Sequence, residues 1–300
     1  MHRHATTEVV ETAALYVLGA LPADERVAFE RHLLEGCGPC EREVASFGPV
    51  VTGLGRVTPA LVPPPAVRER LLARLASPWI LVRADEIDWR RDGLGLETRP
   101  LYREAAEGRA TGLVRLMPGA RHRRPRLAAI QELYVLQGDL TVEHERLGAG
   151  DYCAASGATV HGEAVSEGGC VFVLVTSERG GTLAHPAAPA SRAGVTLVRA
   201  SEGAWQAGAV AGVWTRQLSH DPTQGRITAH VRMAPGARLP AHRHLTAEQL
   251  YLLAGDAHID GETLAPGDYY WTAAGTSHDV TYTESGCAFL LISSVVELLG

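Results

Sequence analysis

Most of this chain occurs twice, and that repeat limits what it can fold into more than any other feature. "PGAR" stands at residues 118–121 and again at 235–238. "LY" followed by "GD" spans 133–139 and 250–256, "GDY" stands at 150–152 and 267–269, and Cys170 answers Cys287. Each pair is separated by 117 positions, so no insertion or deletion falls between them. Upstream, "LVRA" at 81–84 and 197–200 and the tryptophans Trp89 and Trp205 are separated by 116, which places a one-residue change between the tryptophan and "PGAR". Fixed-period self-similarity marks one structural unit used repeatedly. The copies cover about 78–180 and 194–300.

Each copy reads as β structure. "ELYVLQGDLTVE" alternates apolar and polar residues on either side of Gly138-Asp139, a hairpin signal, and "QLYLLAGDAHID" repeats it around Gly255-Asp256. Short strands punctuated by turns predict a sandwich or barrel. The stretch 180–194, rich in Gly, Ala and Pro, reads as a linker. With 46% hydrophobic and 21% charged residues the composition is that of a globular protein. A formal charge of -6 argues against broad nucleic-acid or anionic-membrane binding. The apolar runs are too short to span a bilayer, and "MHRHATTEVVE" lacks the basic-then-apolar pattern of a signal peptide. A cytoplasmic location is expected. Three of the five cysteines, Cys153, Cys170 and Cys287, sit in strand-like runs and read as small buried hydrophobes.

The first 77 residues have a different period. Val10, Ala14, Leu18 and Leu21 share a helical face. Pro22 can open a second helix, with Asp24 and Glu25 near its positive end, that runs to about Glu35 and stops at Gly36. Val44, Phe47, Val51 and Leu54 mark a third helix that Pro49 should kink or break. "LVPPP" forms a stiff connector, and Val67, Leu71 and Leu75 mark a fourth helix. The fold class is therefore α+β and multidomain: a small all-α domain over 1–77, then two β-barrel domains.

"HRHLTAE" at 242–248 carries the first chemical signature. On a strand, residues i and i+2 point to one side, so His242 and His244 can face one point, Glu248 can join them from the next strand, and His278 is a fourth candidate. Imidazoles plus one carboxylate suit a divalent metal such as Fe, Mn, Ni, Zn or Cu. Four protein ligands on an octahedral ion leave two positions open. The competing reading is a polar barrel mouth without metal. The spacing of Gly236, His242, His244, Glu248 and Gly255 resembles the first motif of the cupin superfamily, and Gly267 through His278 resembles the second, with Ala273 where a proline is common. The resemblance implies a jelly-roll barrel holding a metal on those four side chains. In the other copy the same register reads Pro125, Leu127 and Gln131, with only His161 kept opposite His278. That copy resembles a cupin that has lost its site. His122, among Arg121, Arg123, Arg124 and Arg126, reads as part of a basic rim, with recruitment of an anion or other ion as the sharper alternative.

"HLLEGCGPC" carries the second signature. His32 lies near the end of the second helix, and Cys37 and Cys40 begin the third, where the helix dipole favours thiolates. His plus Cys-x-x-Cys supplies three ligands of a tetrahedral zinc site, and His4 or His2 is available as the fourth, His4 being nearer the first helix. A thiol redox switch and a metal-free helical domain are the alternatives. The stretch resembles the zinc-binding anti-sigma fold, whose motif is H-x3-C-x2-C; here the spacing is one residue longer, at Gly36. Helical domain and cupin together resemble ChrR-type anti-sigma factors, from which this chain departs in having two cupin copies.

Two function classes follow. The resemblance implies a regulator that sequesters an ECF-type sigma factor, with Val67, Leu71 and Leu75 as candidate contacts, zinc in the helical domain, and a divalent metal (Zn, Fe, Mn or Ni) in the second cupin that senses an oxidant or small molecule. The alternative is a metal-dependent cupin enzyme, a dioxygenase or isomerase, with Tyr251, Tyr269, Tyr282 and Trp271 as candidate barrel-lining residues. A metal-storage or stress-response protein without a sigma partner is a third reading.

Overall fold

The computed structural model describes residues 6–34, 37–57, 79–91, 95–104, 108–123, 130–142, 144–156, 163–178, 183, 195–222 and 224–294. The chain falls into two compact units, one within Met1–Ala73 and one formed by Gly95–Gly300 with Arg74–Arg91. No described helix is long and apolar enough to cross a membrane.

The first unit contains helices α1 (Thr6–Val17), α2 (Ala23–Leu34) and α3 (Gly38–Val57). They close on a small core of Ala13, Leu21, Phe29 and Cys40, with Val9, Tyr16, Leu33, Val44 and Phe47 packed around it. Tyr16 meets Phe29 edge-on at 5.2 Å. The buried face of α1 thus runs through Val9, Ala13 and Tyr16, one position off the expected Val10–Ala14–Leu18 stripe. The reason lies at the helix end. Gly19 takes a left-handed conformation at φ 69°, the usual device for stopping a helix. Leu18 therefore falls in the turn and stands 53% exposed. The expected break at Pro49 is also corrected, because α3 is assigned as one helix with Pro49 inside it. A proline removes a single backbone bond, and Val44 and Phe47 anchor the helix on the core one turn earlier. The connector and the helix expected around Val67, Leu71 and Leu75 lie outside the described residues.

The β unit is built on two large antiparallel sheets. The sheet of the first copy runs in the order Val195–Val198, Tyr152–Ser156, Ile130–Val142, Cys170–Ser177, Arg109–Leu116, Leu96–Glu104, Arg90–Arg91. That of the second copy runs Trp79–Val82, Tyr269–Thr272, Glu248–Gly255, Cys287–Ser294, Arg226–Met233, Val213–Asp221, Gln206–Ala207. The two copies exchange their first strands. Trp79–Val82, which opens the first cupin copy in sequence, pairs with Tyr269–Thr272 of the second. Val195–Val198, which opens the second copy, pairs with Tyr152–Ser156 of the first. The repeated "GDY" explains how the exchange is held. Asp268 accepts the Ala84 N–H at 2.8 Å and the Arg83 guanidinium at 3.0 Å. Asp151 accepts the Ala200 N–H at 2.7 Å and Arg199 at 3.3 Å. The repeated "LVRA" therefore supplies both the exchanged strand and the arginine that anchors it.

Packing follows the alternation of the strands. One side of each sheet fills its own barrel, with Leu116, Leu133, Leu140 and Phe172 in the first copy and Val231, Leu252, Phe289 and Leu291 in the second. The other sides meet in a shared core of paired residues, including Tyr134 with Tyr251, Tyr152 with Tyr269, and Leu101 with Leu218. Trp271 also lies in this shared core. Tyr251, Tyr269 and Trp271 therefore belong to the seam between the copies.

Gly138-Asp139 and Gly255-Asp256 are not hairpin turns. The strand Ile130–Val142 continues through the first pair and pairs with Glu145–Gly148 beyond it, with Val142 opposite Glu145. In the second copy the tight turn is Asp260-Gly261, between Ala257–Ile259 and Glu262–Leu264, with positive φ at both residues. Gly255 serves a different need. At φ 78°, a Cβ there would overlap the Gly286 carbonyl oxygen, so only glycine lets the strand bend where it leaves the large sheet. Gly138 stands in the same relation to Gly169.

Candidate metal centre

His242 lies on the two-residue strand His242–Arg243, which pairs with Ser277–His278 so that His242 stands directly opposite His278. The pairing extends one step further, with the His244 N–H bonded to the Thr276 carbonyl at 2.8 Å. Glu248 opens the next strand, Glu248–Gly255. The local fold thus brings all four predicted ligands together, with one donor atom from each lying within 4.8 Å of the others. The ring centres of the three histidines are 4.4–5.1 Å apart.

The hydrogen bonding sets the ring orientations. His242 Nδ1 lies 2.9 Å from the Pro240 carbonyl oxygen, and His278 Nδ1 lies 2.9 Å from that of Asp279. A neutral imidazole that donates at Nδ1 keeps its lone pair on Nε2, as a metal ligand requires. Glu248 sits 3.7 Å from His244 Nδ1 and 3.8 Å from His278 Nε2. Those gaps exceed hydrogen-bond length, yet they suit ligands sharing one ion, since bonds of about 2.0–2.2 Å place neighbouring donors roughly 3–4.4 Å apart. His244 is fully buried and His278 nearly so. Burial disfavours the charged form of His278, but the Glu248 carboxylate and the Asp279 carbonyl outweigh it and raise its pKa. The residues present fit a divalent metal.

Inside the barrel, a cavity of about 290 Å³ opens beside this cluster. His242, Glu248, His278 and Thr281 line one part of it, and Val213, Val231, Leu250, Ile259, Phe289 and Leu291 line much of the rest. On the outer side of the ligands lies a separate depression bordered by Trp79, Arg243, Asp260 and Asp279.

In the helical unit, His32, Cys37 and Cys40 also converge, with donor atoms within 4.8 Å of one another. The Cys37 carbonyl accepts the N–H of Glu41 at 3.0 Å, so Cys37 caps α3 and Cys40 follows in its first turn. Burial, followed by the neighbouring Cys37 and Glu43, pushes the Cys40 thiol up to about 11. Crowding of this kind is relieved when a dication takes both sulfurs as thiolates. His4 and His2 lie outside the described residues.

A family model described as a ChrR cupin-like domain matches residues 78–178 and again 193–296, more than half of the chain. The chain belongs to the ChrR cupin-like family. Its two matched segments are the two copies found by self-comparison, and only the second gathers the four-ligand cluster among the described residues. In the first ChrR cupin-like copy, Gln131 is buried on the strand Ile130–Val142, while Pro125, Leu127 and His161 lie outside the described residues. Arg121 there forms an exposed ion pair with Glu163 at 2.9 Å.

Solved structures share the architecture at low identity. Protein Ylba from E. coli is 18% identical with a TM-score of 0.56, covering 76% of this chain and 96% of that one. AerE from Microcystis aeruginosa is 14% identical with a TM-score of 0.54, covering 73% and 100%. A variant of Bacillus subtilis oxalate decarboxylase is 17% identical with a TM-score of 0.51, covering 72% and 77%. These likenesses concern the cupin fold. A search of curated proteins finds no match.

Sequence reasoning picked out the four candidate ligands that this ChrR cupin-like module gathers, but not its cavity wall. Val213, Val231 and Leu291 carry no motif. Their signal is the inward half of each strand's alternation, which becomes readable only once the sheet's two sides are known. The buried pair Glu132 and Arg226, at the seam of the two copies, was missed as well. Its trace in the sequence is the register of the repeat, which sets Glu132 against Gln249 and Arg226 against Arg109.

Proposed function

We propose that the protein is a ChrR-type anti-sigma factor of the cytoplasm. Its helical unit holds a zinc ion on His32, Cys37, Cys40 and His4 and sequesters an ECF-type sigma factor. The second cupin holds a divalent metal on His242, His244, Glu248 and His278, and a stress or small-molecule signal received there biases release of the partner. The observation that carries this reading is the joint presence, in one chain of the ChrR cupin-like family, of the four-ligand cupin cluster and the His32–Cys37–Cys40 cluster. A purely enzymatic cupin has no evident use for the second of these.

Each residue has a stated task. The zinc ligands tie the start of the chain to α2 and α3, whose shared core is too small to be stable by burial alone. Leu15, Leu18 and Val50 leave apolar surface exposed on the helical unit, and Val67, Leu71 and Leu75, which lie outside the described residues, are the further contacts proposed for the sigma factor. Such surface suits a helix-in-groove contact. Release requires two states that differ in affinity for the sigma factor, and the cupin signal acts by shifting their populations. Co-expression with an ECF-type sigma factor encoded beside this chain is expected to yield a stable complex, and Cys37→Ser with Cys40→Ser to abolish it. A zinc-loaded chain with residues 1–77 intact that captures no such factor overturns the reading.

The second reading, a metal-dependent cupin enzyme, is favoured by one observation, the apolar-walled cavity beside the metal cluster. A bound metal would supply Lewis acidity there, and the barrel wall would exclude water from a small substrate. Turnover that survives deletion of residues 1–77 and is lost in His278→Ala would establish it; equal turnover in His278→Ala would dismiss it.

A further inference from the structure

We infer that the cavity of the second cupin takes a small ligand with a single metal-seeking group, such as a carboxylate, on an uncharged apolar body. The inference deepens the metal-centre reading above and rests on it. The cavity has two chemically different parts. Its polar atoms cluster with His242, Glu248 and His278, and Thr215 and Thr281 add hydroxyls. Elsewhere the wall is hydrocarbon, from Val213, Val231, Leu250, Ile259, Phe289 and Leu291. Among the described residues lining it there is no lysine, arginine or aspartate.

That distribution selects a ligand class. A group bound at the metal has a positive partner. A second ionised group further along the same molecule would be buried against aliphatic side chains with no countercharge, which is strongly unfavourable. Dianions whose second carboxylate would sit away from the metal, such as succinate, are therefore disfavoured. At about 290 Å³ the space lies at the lower end of ligand-binding pockets, so the body is a few carbons long. A dianion bound outside the cavity would have Arg243 as its countercharge, beside Asp260 and Asp279. Arg243 borders the outer depression on the far side of the ligands, where its Nε–H donates to the Gly275 carbonyl at 3.1 Å.

The test is calorimetric titration of the full-length, zinc-loaded chain, with zinc content measured for each sample. The probes are acetate, propanoate, butanoate, pentanoate and succinate. Each added methylene should tighten binding about fourfold until the cavity is filled. Succinate should bind at least tenfold more weakly than butanoate. Leu291→Trp and, separately, Val210→Phe should keep the zinc and flatten the dependence on chain length. Full zinc content with a flat series in the unmodified chain overturns the ligand class alone. So does tight succinate binding that is lost in Arg243→Ala. A second cupin that takes up no zinc or other divalent metal overturns the metal centre and this inference with it.

Discussion

Replacing Glu132 by alanine is expected to destabilise the β unit by about 3–5 kcal/mol, the usual cost of stranding one half of a buried ion pair. Glu132 and Arg226 are both buried in the seam between the cupin copies, with the guanidinium directly on the carboxylate. The carboxylate also accepts the hydroxyls of Thr228 at 2.5 Å, Tyr152 at 2.6 Å and Ser219 at 3.2 Å. Alanine leaves the Arg226 charge in the core together with these hydroxyl groups. Glutamine should be damaging too, because it keeps the shape but not the charge. The sister position makes the point. There Gln249 accepts Thr111 at 2.6 Å and Tyr269 at 3.0 Å, and its arginine, Arg109, is held by Glu104 at 3.5 Å and Gln224 at 2.9 Å. Neutral glutamine is tolerated where the arginine has another carboxylate. Burial alone would raise the Glu132 pKa, but Arg226 and the hydroxyl donors hold it below the ordinary value. A carboxyl depressed on folding stabilises fully above its unfolded pKa, about 4.3 for glutamate. That contribution is lost as pH falls through the lower folded value. Urea unfolding should therefore show an acid-side loss below about pH 4 in the parent chain that is smaller in Glu132→Ala. A variant within 1 kcal/mol of the parent at pH 7 would show that the pair does not hold the seam.

That pair also shows where sequence reading stops. The repeat, the strand period and the spacing of His242, His244, Glu248 and His278 are local patterns, and local patterns survive in one dimension. The exchange of Trp79–Val82 and Val195–Val198 does not. It is a choice of partner between two nearly identical sheets, and "LVRA" reads the same whichever sheet it joins. The Gly-Asp pairs misled for a related reason. A glycine with positive φ serves a turn or a close backbone approach equally well, and only the position of the Gly286 carbonyl distinguishes them. In α1 the apolar residues supported two neighbouring faces, and the left-handed Gly19 decided between them by ending the helix before Leu18. The cavity wall was hidden because valine and leucine carry no chemistry. It took the topology to show that Val231 and Leu291 share a space with His278.

Substituting His244 by alanine is expected to weaken metal uptake by the second cupin more than 100-fold. Loss of a residue that merely supports a metal ligand typically costs 10–100-fold, and a ligand itself contributes more. His244 is the most deeply buried of the four, and its backbone is pinned on both sides, the N–H by Thr276 and the carbonyl by the Gly275 N–H at 2.7 Å. The strand is therefore held in register, and a slide along it to bring another residue to this position would break both bonds. The effect is best read in a chain carrying Cys37→Ser and Cys40→Ser, so that metal analysis counts the cupin alone. The parent should bind about one equivalent of divalent metal, and His244→Ala close to none. Gln131→Ala, at the position equivalent to Glu248, should leave uptake unchanged. Unfolding adds an independent measure. Metal at about 1,000 times its dissociation constant stabilises a folded site by roughly 4 kcal/mol. Chelation should remove that increment from the parent and do nothing to His244→Ala. Equal metal content in the two chains would show that His242, Glu248 and His278 suffice, and that His244 fills the barrel without ligating.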